Sequence, residues 1–203
     1  MRRLFVTGIG TDIGKTVVSA ILSEALEADY WKPIQCGELE NSDSMCVQSW
    51  INNKKSVVHQ EAYRLKGFMS PHAAAKLENI EIDLNSIELP DTTNTLIIEG
   101  AGGLMVPIND ETLILDLIVH LDAEVIVVSE NYLGSINHSL LTLEILKSRG
   151  IQVAGIIFNG DKNEDTESVI LEYSGVKLLG HINREETINS EVISRYAAQF
   201  VNL

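Results

Sequence analysis

Lys15 and Thr16 close the stretch Gly8-Ile9-Gly10-Thr11-Asp12-Ile13-Gly14-Lys15-Thr16. Glycines beside a lysine and a hydroxyl are what a polyphosphate needs. The glycines let backbone N–H groups turn inward around the anion, the lysine reaches the outer phosphates, and the hydroxyl faces Mg²⁺. The stretch follows apolar Leu4-Phe5-Val6 and opens the helix-forming run Val17 to Leu26. A helix N-terminus therefore adds its partial positive charge. Asp12, Ile13, Gly14, Lys15, Thr16 and Val17 become the candidate nucleotide contacts, and the nucleotide is ATP or GTP. The usual phosphate loop has one residue fewer between its first glycine and Gly-Lys-Thr, so this is a variant of the loop.

Other residues capable of chemistry sit where apolar strands end. Glu99 ends Thr95-Leu96-Ile97-Ile98 and precedes Gly100-Ala101-Gly102-Gly103. A carboxylate there can hold Mg²⁺, which takes oxygen ligands, or it can be a solvated strand end. Asp43 in Asn41-Ser42-Asp43-Ser44 is either a helix cap or a third oxygen for the metal beside Thr16 and Glu99. Lys32 follows Tyr30-Trp31 and can be solvated or can meet an anionic acceptor near the phosphate loop. Gly134-Ser135-Ile136-Asn137-His138 opens a helix. Its free N–H groups suit a carboxylate, and ordinary capping by Ser135 or Asn137 explains it equally well. The five histidines are too scattered for zinc, and Cys36 has no nearby base in sequence to make it a nucleophile.

Positioning these residues falls to short apolar runs that alternate with helical segments. Glu124 to Val128, Val153 to Phe158 and Lys177 to Ile182 read as strands; Ser135 to Ser148, Thr166 to Tyr173 and Glu191 to Val201 read as helices. Ser70-Pro71-His72 reads as a capped helix start with Pro71 at its first position. The reading predicts an α/β fold, a single domain over residues 1–203 with a mostly parallel sheet covered by helices on both faces. In such sheets, ligands bind beyond the C-terminal strand ends.

Composition narrows the function further. A net charge of −14 argues against nucleic acid as a partner. Two cysteines, Cys36 and Cys46, are too few for a disulfide framework and suit a reducing cytoplasm. No signal peptide is expected, and no apolar run reaches the length of a membrane span.

Together these segments resemble the dethiobiotin synthetase family of phosphate-loop enzymes. The likeness rests on Val6-Thr7-Gly8 through Thr16, Lys32-Pro33 with Gly37, Asn41-Ser42-Asp43 and Ser70-Pro71-His72. It continues in Glu99-Gly100-Ala101-Gly102-Gly103, Leu133-Gly134-Ser135-Ile136-Asn137-His138 and Asn159. The family has the same lengthened loop. The resemblance implies ATP and Mg²⁺ acting on 7,8-diaminononanoate and CO₂ in biotin synthesis. It implies metal positions at Thr16, Asp43 and Glu99, catalytic positions at Lys15, Lys32 and Thr11, and an adenine contact at Asn159. Lys32 would hold the substrate carbamate. Cys36 would line the substrate site, and Gly134, Ser135 and Asn137 would bind its distal carboxylate from the partner subunit of a homodimer. Two departures stand out: Cys36 replaces an expected Ser or Thr, and Ile182-Asn183 replaces an expected Ile-Pro by the base. The alternative is a nucleotide-driven positioning or partitioning ATPase of the same superfamily. Such proteins carry an extra early lysine in the loop, and Gly8 to Ile13 has none.

Overall fold

Side chains alternate along a strand, so the apolar run at the N-terminus must feed two faces. In the computed structural model, which describes residues 1–203, Leu4 and Val6 of β1 (Arg3–Gly8) enter one core and Phe5 enters the other. The chain continues through α1 (Lys15–Leu26), β2 (Asp29–Trp31), β3 (Ile34–Cys36), α2 (Asp43–Trp50), β4 (Val58–His59), β5 (Tyr63–Leu65) and α3 (Pro71–Glu78). It then forms β6 (Leu96–Gly103), α4 (Ile114–His120), β7 (Glu124–Glu130), α5 (Ser135–Ser148), β8 (Val153–Asn159), α6 (Glu164–Ser174), β9 (Leu178–Ile182) and α7 (Ser190–Ala197).

Seven strands form one sheet in the order β4-β2-β6-β1-β7-β8-β9, and every pairing in it is parallel. The face carrying Leu4, Val6, Ile97 and Ile126 packs on Val18, Ile21 and Leu22 of α1, Val47 of α2 and Ile193 of α7. The opposite face, with Phe5, Ile98, Val127 and Phe158, packs on α3, α4, α5 and α6. The apolar stripe of α7 is part of this core: Ile193, Tyr196, Ala197 and, just past the helix, Phe200 are buried. No helix is long and apolar enough to cross a membrane.

Three features depart from the periodicity reading. The strands β3, β4 and β5 are two or three residues long, too short to show a period, and β3 with β5 forms a separate parallel pair. The glycines after Glu99 do not end β6. They continue it, because Gly103 pairs with Gly8 of β1 and needs no side-chain packing to do so. A Cβ on Gly103 would lie 3.2 Å from the Gly8 carbonyl, so glycine is what permits the close approach. Finally, α7 stops at Ala197 rather than Val201, and the chain finishes in turns.

A phosphate loop, two lysines and two carboxylates at one sheet end

The topology gathers the site at the C-terminal end of the sheet, where β1 sits between β6 and β7. Gly14 caps α1 in the left-handed region, with φ 85°, and no side chain bonds to the first turn of the helix. The N-terminal N–H groups of α1 are thus left without a side-chain cap and face the loop. A Cβ on Gly14 would also run into the Asn159 amide. Asn159 Nδ2 donates to the Ile13 carbonyl at 3.0 Å, which ties the end of β8 to the loop. Lys15 Nζ donates to the Gly10 carbonyl at 2.8 Å, so the loop is wrapped around its own lysine.

Alternation explains the rest. On β6, Ile97 faces α1 and Ile98 faces away, so Glu99 faces α1. On β2, Tyr30 faces α1 and Trp31 faces away, so Lys32 returns to the α1 side. Ser42 accepts the Met45 N–H at 3.4 Å and is the cap of α2, which leaves the carboxylate of Asp43 free for the site. The capping expected of Asp43 is thus done by the neighbouring serine. Thr16 Oγ1 then lies 3.0 Å from Asp43 Oδ1 and 2.8 Å from Glu99 Oε1. Lys32 Nζ pairs with Asp43 Oδ2 and, at 3.2 Å, with Glu99 Oε1. Tyr30 donates its hydroxyl to Glu99 Oε2 at 2.9 Å.

Charge is concentrated and mostly buried: Glu99 is 1% exposed, Lys15 and Lys32 each 7%. Burial pulls Lys15 down to about 8, a shift that Glu99, Asp43 and Asp12 only partly oppose and Lys32 reinforces. Burial acts against Lys32 as well, but Glu99 and Asp43 outweigh it and hold its ammonium above the ordinary lysine range. Burial, with the Glu99 and Asp43 charges behind it, raises Tyr30 well above the phenol range, so its hydroxyl stays a donor. Burial also lifts the Cys36 thiol to about 11, which keeps it an inert wall group.

Two carboxylates and a hydroxyl meeting at one point are a hard, all-oxygen donor set, the kind Mg²⁺ takes. The Lys32 ammonium lies against the same two carboxylates, on Glu99 Oε1 and on the other oxygen of Asp43, so they already face a cation. Thr16, Asp43 and Glu99 therefore fit the metal.

A cleft of about 720 Å³ opens over this cluster. Thr11, Asp12, Gly14, Lys15, Thr16, Val17, Lys32, Cys36, Asp43 and Glu99 all line it. Phe68, Met69, Pro71 and Val106 give it an apolar wall.

Residues 2–192 match the family model described as AAA domain. The chain is 54% identical over 200 residues to ATP-dependent dethiobiotin synthetase BioD of Cytophaga hutchinsonii, covering 98% of this chain and 97% of the relative. The chain belongs to the dethiobiotin synthetase family. It is an ATP-dependent ligase. The enzyme of the same name from Christiangramia forsetii is also 54% identical, over 196 residues, with 97% and 94% covered. Among solved structures, a ParA family ATPase from Chlorobium tepidum superposes with a TM-score of 0.59 at 15% identity, covering 98% of this chain and 99% of that one. The Pyrococcus furiosus cell division ATPase MinD gives 0.59 at 17%, with 98% of each covered. At that identity the likeness shows the phosphate-loop fold alone.

The remaining residues expected of a dethiobiotin synthetase lie outside this cleft. Ser135 is buried, and its Oγ accepts the Tyr132 N–H at 3.3 Å, so its side chain is spent within its own turn. Gly134 and Asn137 are exposed at the start of α5, away from the residues lining the cleft. Tyr30 and Gln35 were missed from sequence. Gln35 accepts the Asp43 N–H at 3.4 Å and donates to the Gly37 carbonyl at 3.1 Å, joining the turn after β3 to the start of α2. The signal for Tyr30 was its place two residues before Lys32, hence on the same face; Gln35 carried none.

Proposed function

We propose that this dethiobiotin synthetase converts 7,8-diaminononanoate, CO₂ and ATP into dethiobiotin, ADP and phosphate. The single observation that carries the reading is the meeting of Lys15, Lys32, Thr16, Asp43 and Glu99 beneath the phosphate loop. One amine adds to CO₂ and loses a proton, giving a carbamate. The carbamate oxygen attacks the γ-phosphorus of ATP, ADP leaves, and a carbamic–phosphoric anhydride forms. The second amine then attacks the carbonyl carbon, phosphate leaves, and loss of a proton closes the five-membered urea. That closure is intramolecular, for which alignment alone can be worth about 10⁵–10⁸ M in effective concentration.

Carbamate and ATP are both anions, so the protein's task is to neutralise and position them. Lys15 and the N-terminus of α1 would hold the outer phosphates, with the backbone of Asp12 to Val17 around them. Lys32 would hold the carbamate, beside Thr11 at the acceptor. Asn159, already bonded to the loop, would present its free amide oxygen to adenine. Thr16, Asp43 and Glu99 would hold Mg²⁺, which when bound offsets phosphate charge. Phe68, Met69 and Val106 suit the aliphatic chain of the substrate, and Cys36 lines the same cleft.

The exposed start of α5 supports a homodimer in which Gly134 and Asn137 of one subunit reach the substrate carboxylate of the other. Leu133 there is fully exposed and Leu141 is 53% exposed, apolar surface that a second copy would cover. Both cysteines are free, which fits a cytoplasmic location.

Incubation with diaminononanoate, bicarbonate and MgATP, followed by mass spectrometry, tests the reaction. A cyclic urea formed in step with ADP is expected. ADP release that ignores the diamine and rises with DNA or lipid would overturn the reading in favour of a positioning ATPase.

A further inference from the structure

The two carboxylate oxygens of Glu99 have separate employment. Oε1 faces the site, 2.8 Å from the Thr16 hydroxyl and 3.2 Å from Lys32 Nζ. Oε2 turns back into the protein and accepts the Tyr30 hydroxyl at 2.9 Å. Tyr30 stands on the neighbouring strand, paired with Ile97 in register, and its ring is fully buried in the α1-side core. A phenylalanine would fill that core position equally well. The one hydrogen bond of the hydroxyl is to the carboxylate, and Tyr30 is not among the residues lining the cleft.

We propose that Tyr30 is a positioning residue that makes Glu99 a one-oxygen ligand and thereby selects Mg²⁺ over larger divalent cations. This rests on the reading of Thr16, Asp43 and Glu99 as the metal position. Mg²⁺ is small, demands a near-ideal octahedron and takes carboxylates through single oxygens. Ca²⁺ accepts more ligands and commonly takes both oxygens of one carboxylate. A carboxylate anchored from behind by a buried donor cannot swing to offer both. Outer partners of metal ligands fix ligand orientation in this way, and their loss commonly weakens metal binding about 10–100-fold.

The test is Tyr30→Phe in the full chain with ADP present, compared with wild type and Glu99→Gln. Bound Mn²⁺ is measured by electron paramagnetic resonance, with Ca²⁺ as competitor, and metal-free ADP binding checks that each variant is folded. Tyr30→Phe should bind Mn²⁺ at least about tenfold more weakly. Ca²⁺ should displace Mn²⁺ from it at a lower Ca²⁺ to Mn²⁺ ratio than from wild type. Mn²⁺ affinity and cation ratio both within about twofold of wild type, with Glu99→Gln defective, would overturn the proposal while sparing the metal site. Equal weakening of both cations would overturn the selectivity. Wild type that binds no Mn²⁺, or Glu99→Gln that binds it normally, would remove the metal site itself and the proposal with it.

Discussion

Replacing Lys32 by methionine keeps an unbranched apolar stem and removes the ammonium that bridges Asp43 and Glu99. In the ligand-free protein the two carboxylates then share a mostly buried site without that cation. Removing one partner of a buried ion pair costs about 3–5 kcal/mol. Glu99 has a side chain 1% exposed, but that of Asp43 is 28% exposed, so water screens part of the loss and the lower end, about 3 kcal/mol, applies. For a chain of this length each kcal/mol moves the melting temperature by about 2–4 °C, which gives a drop of about 6–12 °C. Mg²⁺ would occupy the same oxygens, and a cation at a hundredfold its dissociation constant adds about 2.7 kcal/mol. Lys32→Met should gain more from Mg²⁺ than wild type does, because its own ammonium no longer competes. Thermal unfolding followed by circular dichroism, in EDTA and across a Mg²⁺ titration, reads this directly. The gap to wild type should be wide in EDTA and should narrow with Mg²⁺. A gap that ignores Mg²⁺ would show that no metal shares the place of the Lys32 ammonium, and no gap at all would show that the carboxylates do not depend on it. The same variant should still bind ATP and should lose turnover.

Three further outcomes follow from single residues. Lys15 has a folded pKa of about 8 against 10.5 for an ordinary lysine. The unfolded chain therefore binds the extra proton between these values, and this group's contribution is fully present above 10.5 and lost as pH falls through 8. Lys15→Met should be the more stable protein at pH 7 in chemical denaturation, with an advantage that fades as pH rises from 8 to 10.5; a constant advantage would contradict the burial argument. Ser42→Ala removes the cap of α2 and should cost about 1 kcal/mol in denaturant titrations; it should also weaken Mn²⁺ binding, since α2 carries Asp43. Gly14→Ala should abolish nucleotide binding by calorimetry, and adding Asn159→Ala should not restore it, because relief of the clash leaves the φ of 85° in place.

Much of the fold was legible because long apolar runs declare themselves. Glu124 to Val128 and Val153 to Phe158 became β7 and β8, and the Ser135–Ser148 helix has the bounds read from its period. The short strands β3, β4 and β5 carry no period, so only their partners define them. The glycines after Glu99 misled for a related reason: glycine disfavours a strand intrinsically, while Gly103 pairs with Gly8 of β1 beyond an irregularity at which Gly102 takes φ 68°.

The phosphate loop needed no tertiary information, since its glycines, lysine and hydroxyl are consecutive and its chemistry is local. Strand alternation likewise fixed which face Glu99 would take once its neighbours were known to be buried. What only folding decided was the company each charge keeps. Thr16, Asp43 and Glu99 are separated by many residues, and they meet because α1, which carries Thr16, packs against both α2, which starts at Asp43, and β6, which carries Glu99. Whether Asp43 capped a helix or faced a cation depended on Ser42 taking the cap, and whether Lys32 was solvated or clamped depended on two carboxylates from elsewhere in the chain. Sequence spacing sets chemistry within a turn or a strand; burial and long-range Coulomb interactions belong to the assembled sheet.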